Sequence, residues 1–434
     1  MNSLREKYSV FELFDELDFE FAENVMSLSS NDEDVFLVSL IASHASKNNS
    51  VCFDCESDTF ENETINQIIN NLIDNKTRKK FAYEKKLPVV IENSKIYLRR
   101  YYEYEKDTAA EILHRASSTA ENLPPEIVSA AEKLLSALDI TEEEKKISIM
   151  NALSKKISFI SGGPGTGKTS LAVNIILLYI KKKLLKDERP SIALCAPTGK
   201  AAAHLKKSVE GALLKIKEND KIKNLFDKEL NYVPLKGETV QKLIGAKIGS
   251  ISAKFNKNEP LPHGLIIADE TSMFDLSLMK KLFSALSPSA SIVFLGDKDQ
   301  LASVQAGSVF GDICSIAKKE TGEKSDNAEC LSKSITVLKK SFRFDPDKGI
   351  GKISKAVNES DVKAVWDAFS SDDNIRFIEN NELSFQGFRK RLKEIIESEI
   401  IRYSKDFPYI FPVENAKPEE LLSRMKNIQI LSAL

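Results

Sequence analysis

Cysteine, histidine and tryptophan are scarce in this chain: five, four and one among 434 residues. Five scattered cysteines exclude a disulfide framework, which needs thiols at high density. Cys52-Phe53-Asp54-Cys55 is a lone C-x-x-C, whereas a zinc site wants a second pair or nearby histidines, and His44 is the one candidate. The two thiols therefore read as reduced structural side chains, and Cys195 as a small buried apolar residue. Long apolar runs are missing too; none approaches the roughly 20 residues that span a bilayer. The N-terminus lacks the basic and apolar regions of a signal peptide, so a cytoplasmic protein without membrane contact is expected. There is no internal repeat and no low-complexity segment.

Net charge is nearly absent, at −2, which excludes a global attraction to nucleic acid. Its distribution is uneven. Residues 1–34 carry ten acidic against two basic residues, a balance of −8, and residues 179–228 carry thirteen basic against six acidic, a balance of +7. A polyanion groove in the middle and a different partner for the acidic start fit these counts, as do two solvated helical faces.

The length allows two or three domains. Residues 1–110 read as an N-terminal module. Phe11, Phe14, Leu17, Phe21 and Val25 recur at helical spacing, which predicts a core stripe, and a second apolar segment runs from Val35 to Ala45. Leu87–Ile91 and Lys95–Leu98 predict two strands around a Glu92-Asn93-Ser94 turn. The aromatic, basic run Arg99–Tyr104 fits base stacking, a partner interface or an aromatic core edge. A second domain is expected over 111–345. Residues 107–150 are helix-rich, with a break at Leu123-Pro124-Pro125. Short apolar runs at Ser191–Ala196, Gly264–Asp269 and Ser291–Leu295 then alternate with helical stretches, the pattern of a parallel sheet. Lys318–Ser334 reads as a polar loop. Residues 346–434 form the third segment, with helical patterns around a strand-like piece, Asn374–Ile378, and a strand-like end, Asn427–Leu434.

Five segments carry chemistry. Ser161-Gly162-Gly163-Pro164-Gly165-Thr166-Gly167-Lys168-Thr169 follows the apolar run Ile157–Ile160 and precedes a helical stretch, which is the context of a phosphate loop. Backbone N–H groups of such a loop form an anion nest, Lys168 supplies a charge for the β- and γ-phosphates, and Thr169 a hydroxyl for Mg²⁺. The chain is therefore expected to bind a nucleoside triphosphate. In Gly264–Ser272 an apolar strand delivers two carboxylates to its C-terminal edge, Asp269 for Mg²⁺ and Glu270 to orient and deprotonate a water. Paired acids in that position also serve as helix caps. Ile292–Leu301 ends in a Gly-Asp turn, from which Gln300 can hydrogen-bond a γ-phosphate and Asp297 can position water or metal. In Leu338–Phe344, Arg343 can clamp phosphate oxygens across a cleft. Cys195–Ala203 ends a strand in Pro197-Thr198-Gly199 and opens a small-residue helix, whose N–H groups with Thr198 and Lys200 suit a nucleic-acid phosphate.

In this order the segments resemble the motifs of superfamily-one helicases, and their wording is closer still to the RecD subunit of exodeoxyribonuclease V. Ile160–Thr169, Ala196–Ala203, Ala268–Asp275, Phe294–Ile313 and Lys340–Phe344 are similar to motifs I, Ia, II, III and IV; Ser43–Ala45 and Lys95–Leu98 extend the similarity into the N-terminal module. The resemblance implies an α/β fold, a RecA-like parallel sheet with a helical N-terminal module and the start of a second RecA-like domain. It implies ATP and Mg²⁺ as cofactors, 5′ to 3′ movement on DNA with single-stranded and duplex DNA as partners, RecB and RecC as partner subunits, and double-strand break repair as context. The nuclease of that complex resides in RecB, and the N-terminal module would dock on RecC. Lys168, Glu270, Gln300 and Arg343 take catalytic roles; Gly162 to Thr169 hold the nucleotide; Thr169 and Asp269 hold the metal; Pro197, Thr198, Lys200 and Thr239 touch DNA.

Three departures from the family pattern stand out. The stretch Glu142–Lys146 has no glutamine where the family carries one that reads adenine. The family's Thr-Leu-His appears as Thr239-Val240-Gln241. Motifs V and VI do not follow Ile428–Leu434, so a truncated chain that binds nucleotide weakly and does not unwind DNA is expected. A stand-alone RecD-like helicase, usually with a longer N-terminal extension, and a non-catalytic form that only docks on partners are the alternatives.

Overall fold

The computed structural model describes residues 2–29, 31–72, 87–247, 253–300, 306, 307, 309–316, 326–342, 345, 348–371, 377 and 384–406. It divides into two units between Pro346 and Asp347.

The first unit begins with helices Asn2–Ser9, Glu16–Ser27, Glu33–Lys47 and Glu63–Leu72. The helical spacing from Phe11 to Val25 is not one helix. Asp15 starts a new one with a capping box: its carboxylate accepts from the Asp18 N–H, and the Asp18 carboxylate accepts from the Asp15 N–H. That reset turns Phe14 and Val25 inward and leaves Leu17 63% exposed, against its expected place in the core. Asp18 is itself buried, and Ser43 and Lys47 of the third helix donate to it at 2.6 and 2.7 Å. These helices pack on a three-stranded antiparallel sheet, β1 (Cys52–Asp54), β2 (Val89–Glu92) and β3 (Lys95–Leu98), in the order β1-β3-β2. The expected β2–β3 hairpin is present. Asn93 and Ser94, with φ of 46° and 67°, supply the two left-handed residues of its turn.

β3 leads directly into a helix, Arg99–Ala116, that runs across the expected boundary at residue 110. The aromatic run is its first two turns, where Tyr102 meets Tyr97 edge-on at 5.6 Å. Its last turn carries Arg115, 3% exposed, which donates to the carbonyls of Ala290 at 2.8 Å and Ser287 at 3.1 Å and pairs with Glu111 at 2.8 Å. Asp107 pairs with Lys280.

Beyond it lies the main sheet: β4 (Ile157–Gly162), β5 (Ile192–Ala196), β6 (Gly237–Thr239), β7 (Leu265–Ala268), β8 (Ser291–Gly296) and β9 (Ile335–Leu338). All six are parallel, in the order β6-β5-β7-β8-β4-β9. Successive side chains point to opposite faces, and both faces are covered. Ile160, Leu194, Ile267 and Leu295 face helices Pro125–Ala137, Glu143–Ser154, Lys168–Leu184 and Gly199–Glu218. Phe159, Cys195, Ile266 and Phe294 face Arg99–Ala116, Leu276–Ala285 and Val309–Ile316. Leu171 to Ile180 are buried without interruption, Asn174 included, so the middle of that helix is covered all round. The fold is α/β, a parallel sheet between two helical layers.

The expected polar loop at Lys318–Ser334 needs correction in its second half. Asp326–Ser332 is a helix, because burial of Leu331 in the second-face core outweighs its polar composition. The second unit contains helices Gly349–Asn358, Val362–Ser371 and Phe385–Asp406, with Trp366, Phe369 and Phe377 in one ring cluster. The strand expected at Asn374–Ile378, apart from Phe377, and the one at Asn427–Leu434 lie outside the described residues. Among the described residues no helix is long and apolar enough to cross a membrane.

Gly296 closes β8 where a Cβ would meet the Phe310 ring at 2.8 Å. Gly296→Ala is expected to destabilise the protein by about 1–3 kcal/mol through overpacking, read as a lower urea midpoint. An unchanged midpoint would show that the Phe310 ring yields freely.

Candidate nucleotide and DNA site

In a parallel sheet every strand ends at the same edge, and here that edge collects segments far apart in sequence. Register fixes the row: Ser161 lies opposite Gly296, Gly162 opposite Leu338, Ala268 opposite Phe294 and Cys195, and Ala196 opposite Thr239. The loop after β4, the acids after β7, the turn after β8 and the Pro-Thr-Gly after β5 therefore share one edge.

Gly162 to Thr169 turn from β4 into the helix that starts at Lys168. The turn needs left-handed backbone at Gly165 (φ 77°) and Gly167 (φ 89°), which glycine adopts without steric cost. The Thr166 hydroxyl closes the loop by donating to the Gly163 carbonyl at 3.0 Å. The Lys168 ammonium folds over the loop, donating to the carbonyl of Gly162 and, at 3.1 Å, to that of Gly163. Pro164 is exposed and Thr169 half-buried at the mouth.

Asp269 is 6% exposed at the end of β7. Burial pushes its carboxyl up to about 6; the adjacent Glu270 charge adds to this, while the Glu270 N–H at 2.9 Å and the Lys168 charge oppose it. Asp297, 5% exposed at the end of β8, is likewise raised by burial and pulled down by Lys168. Lys168 thus exerts its field on two carboxylates from two other strands. Glu270 is half-buried with φ 52°, a left-handed conformation that costs a non-glycine residue free energy and is found where the surroundings enforce it. Thr271 beside it donates to the Leu295 carbonyl, locking this turn to β8.

Gln300 is exposed, and its Oε1 accepts from the Ser272 hydroxyl at 3.1 Å, which ties the turn after β8 to the segment that follows the β7 acids. The Lys298 N–H donates to Ser161 Oγ at 3.0 Å, tying the same turn to β4. Arg343 lies outside the described residues; its neighbours are placed. Ser341 donates to the Pro164 carbonyl and the Phe342 N–H to the Gly165 carbonyl, both at 2.9 Å, so this segment rests on the phosphate loop.

The DNA candidates sit at the ends of β5 and β6. Thr198 caps the helix Gly199–Glu218, its hydroxyl accepting from the Ala201 N–H at 3.2 Å; Thr239 caps Val240–Leu243 and accepts from the Lys242 N–H at 3.2 Å. Pro197 is half-buried and Lys200 exposed beside them.

Sequence reasoning missed two features. Ser272 gave no sign that it orients Gln300. Lys145, 7% exposed, stands beside the phosphate loop with Glu142, Lys340 and Phe342. The signal for it was periodicity: Lys145 shares the inward face of its helix with Ile149, Ala152 and Leu153, an odd position for a lysine.

A Gly-rich turn between a parallel strand and its helix, facing acids from neighbouring strand ends, defines a P-loop protein with a RecA-like sheet. A family model for an AAA domain matches residues 145–306. The RecD subunit of the RecBCD enzyme of Buchnera aphidicola subsp. Schizaphis graminum is 29% identical over 99% of this chain and 74% of its own length. The RecD subunits of Haemophilus influenzae and Mycobacterium tuberculosis are 29% and 34% identical, over 70% and 66% of this chain and 49% and 45% of theirs. The chain thus spans about half the length of these two relatives. Among solved structures, that of Bacteroides Pif1 bound to ssDNA is 20% identical, over 56% of this chain and 51% of that one, with a TM-score of 0.32. The chain is similar to RecD subunits of the RecBCD enzyme in several bacteria, in one case over nearly its whole length.

Because the folded state raises the Asp269 pKa above its ordinary 3.8, its stabilising contribution is complete below that value and is lost as pH rises through about 6. Asp269→Asn is therefore expected to be more stable than the parent at pH 8, by up to about 3 kcal/mol, and no more stable below pH 4. Urea unfolding in chelator at the two pH values checks this; an equal difference at both would contradict it.

Proposed function

We propose that this chain is a motor subunit that couples ATP hydrolysis to movement along DNA, 5′ to 3′. RecB and RecC are its partner subunits, and the repair of double-strand breaks in the cytoplasm is its setting. The observation that carries the reading is geometric. Parallel register brings the ends of β4, β7 and β8 to one sheet edge, and hydrogen bonds from Lys298 to Ser161 and from Ser272 to Gln300 tie the segments that follow them together there.

In this reading the loop N–H groups and Lys168 hold the β- and γ-phosphates. Lys168 leaves the Gly162 and Gly163 carbonyls for the phosphate oxygens, a stronger charge-assisted partner. A carboxylate buried at a strand end fits a divalent metal, so Thr169 and Asp269 are assigned to Mg²⁺; among the described residues no cluster of three or more acidic, His or Cys side chains would hold a metal without the nucleotide. The ion supplies charge neutralisation on the phosphates when bound. Glu270, held forward by its left-handed backbone, orients and deprotonates the attacking water. Gln300 moves from the Ser272 hydroxyl to the γ-phosphate and reports its loss to the β8 turn. Thr198, Lys200 and Thr239, with Pro197 shaping the turn, hold the DNA backbone at the β5 and β6 ends, on the same edge as the nucleotide. The acidic N-terminal module is assigned to docking on RecC.

Single-stranded DNA is expected to stimulate ATP hydrolysis by the protein assembled with RecB and RecC. Lys168→Gln is expected to lower that rate at least about a hundredfold with an unchanged circular dichroism spectrum. Undiminished turnover in Lys168→Gln would refute the assignment, and failure to co-purify with RecB and RecC would remove the partner assignment alone.

A further inference from the structure

The segment Phe294–Ile313 meets, at Gly307, a residue that belongs to no motif described above. A Cβ built on Gly307 would lie 3.1 Å from Val51 Cγ2, 3.2 Å from Leu276 Cβ and 3.6 Å from the Leu276 nitrogen. These neighbours come from distant parts of the chain. Val51 immediately precedes β1 in the N-terminal module, and Leu276 opens the helix that follows the β7 acids. Gly307 itself comes seven positions after Gln300. Its backbone, at φ 102°, passes between the two side chains with little room for one of its own.

Both walls of this junction are fixed. Asp275 caps the helix Leu276–Ala285, its carboxylate accepting from the Leu278 N–H at 2.7 Å. Val51 leaves a tight turn in which the N–H groups of Asn48, Asn49 and Ser50 donate to the carbonyls of His44, Ser46 and Ala45 at 3.1, 3.2 and 2.9 Å. The Ser50 hydroxyl donates to the Cys52 carbonyl at 2.5 Å on the other side of Val51. Between the walls, the Leu276 N–H donates to the Ala306 carbonyl at 3.3 Å. The chain after β8 is thus tied to the chain after β7 at two points. Ser272 holds Gln300, Leu276 holds Ala306, and Val51 bears on the second tie.

We propose that Val51 is a positioning residue for Gln300: by pressing on Gly307, the N-terminal module sets where the chain after β8 holds the amide that reads the γ-phosphate. This rests on the role given to Gln300 above. Close packing makes the arrangement sensitive, because Gly307 has Leu276 behind it and a shift of Val51 is not absorbed sideways. Removing the Val51 methyl groups frees the second tie, and Gln300 loses one of its two anchors. A nucleotide that carries a γ-phosphate is then bound less tightly, whereas one that lacks it is bound as before. The module thereby becomes an input to the nucleotide site, and movement within it is read as a change in ATP-over-ADP preference.

The test is equilibrium binding of ADP and of a non-hydrolysable ATP analogue to the full chain, with the ratio of the two affinities as readout. Gln300→Ala is expected to lower the preference for the ATP analogue about tenfold. Val51→Ala is expected to lower it about threefold with ADP affinity unchanged. Val51→Thr keeps the branched shape and should keep the parent ratio. The double variant Val51→Ala, Gln300→Ala should fall no further than Gln300→Ala alone. Ile96→Val, a truncation in the core of the same module, should leave the ratio at the parent value. A parent ratio in Val51→Ala beside a lowered one in Gln300→Ala overturns the proposal and leaves the role of Gln300 standing. So does an equal fall in Ile96→Val, which would trace the effect to the stability of the module. An unchanged ratio in Gln300→Ala refutes the γ-phosphate role itself, and the positioning with it.

Discussion

Complete burial of β4 is the constraint on which the rest depends. Its six residues are covered on both faces by helices and on both edges by β8 and β9, so no polar side chain can emerge from it until the strand ends. The chain must then reverse into a helix within a few residues. The glycines at 165 and 167 make that reversal possible and leave a row of backbone N–H groups facing outward. Everything at the site is measured from this loop. β8 brings Lys298 to Ser161 on one side, and the segment after β9 brings Ser341 and Phe342 to Pro164 and Gly165 on the other.

The same burial creates the electrostatic problem that the chemistry uses. Asp269 and Asp297 emerge at the rim of an apolar core, where water solvates them poorly. Their raised proton affinity reflects an unmet need for positive charge, which Lys168 meets in part. A site assembled this way holds unfavourable energy that a cation-bearing ligand relieves, so binding and local stability are linked.

Much of this was legible in the residue order. An apolar run that ends in Gly, Asp or Pro-Thr-Gly marks a buried strand and the edge where it stops, because both faces of a parallel strand are covered and the next residues are not. The order of the motifs therefore puts Lys168, Asp269, Gln300 and Thr198 just beyond strand ends. What stayed hidden depends on partners distant in sequence. Register alone sets Thr239 beside Ala196. The capping box at Asp15 resets the helical phase and expels Leu17, which spacing alone placed inside. Leu331 pulls a polar stretch into a helix. Periodicity places Lys145 on the inward face of its helix, but only the fold brings Phe342, from the segment after β9, to it.

The helix Arg99–Ala116 is one continuous rod shared by two layers of the molecule. It begins at the end of the small antiparallel sheet and finishes with Arg115 clamped on the carbonyls that precede β8. No joint separates the two. A displacement of the N-terminal module therefore acts through one helix on the chain that leads into β8, the strand that ends ahead of Gln300.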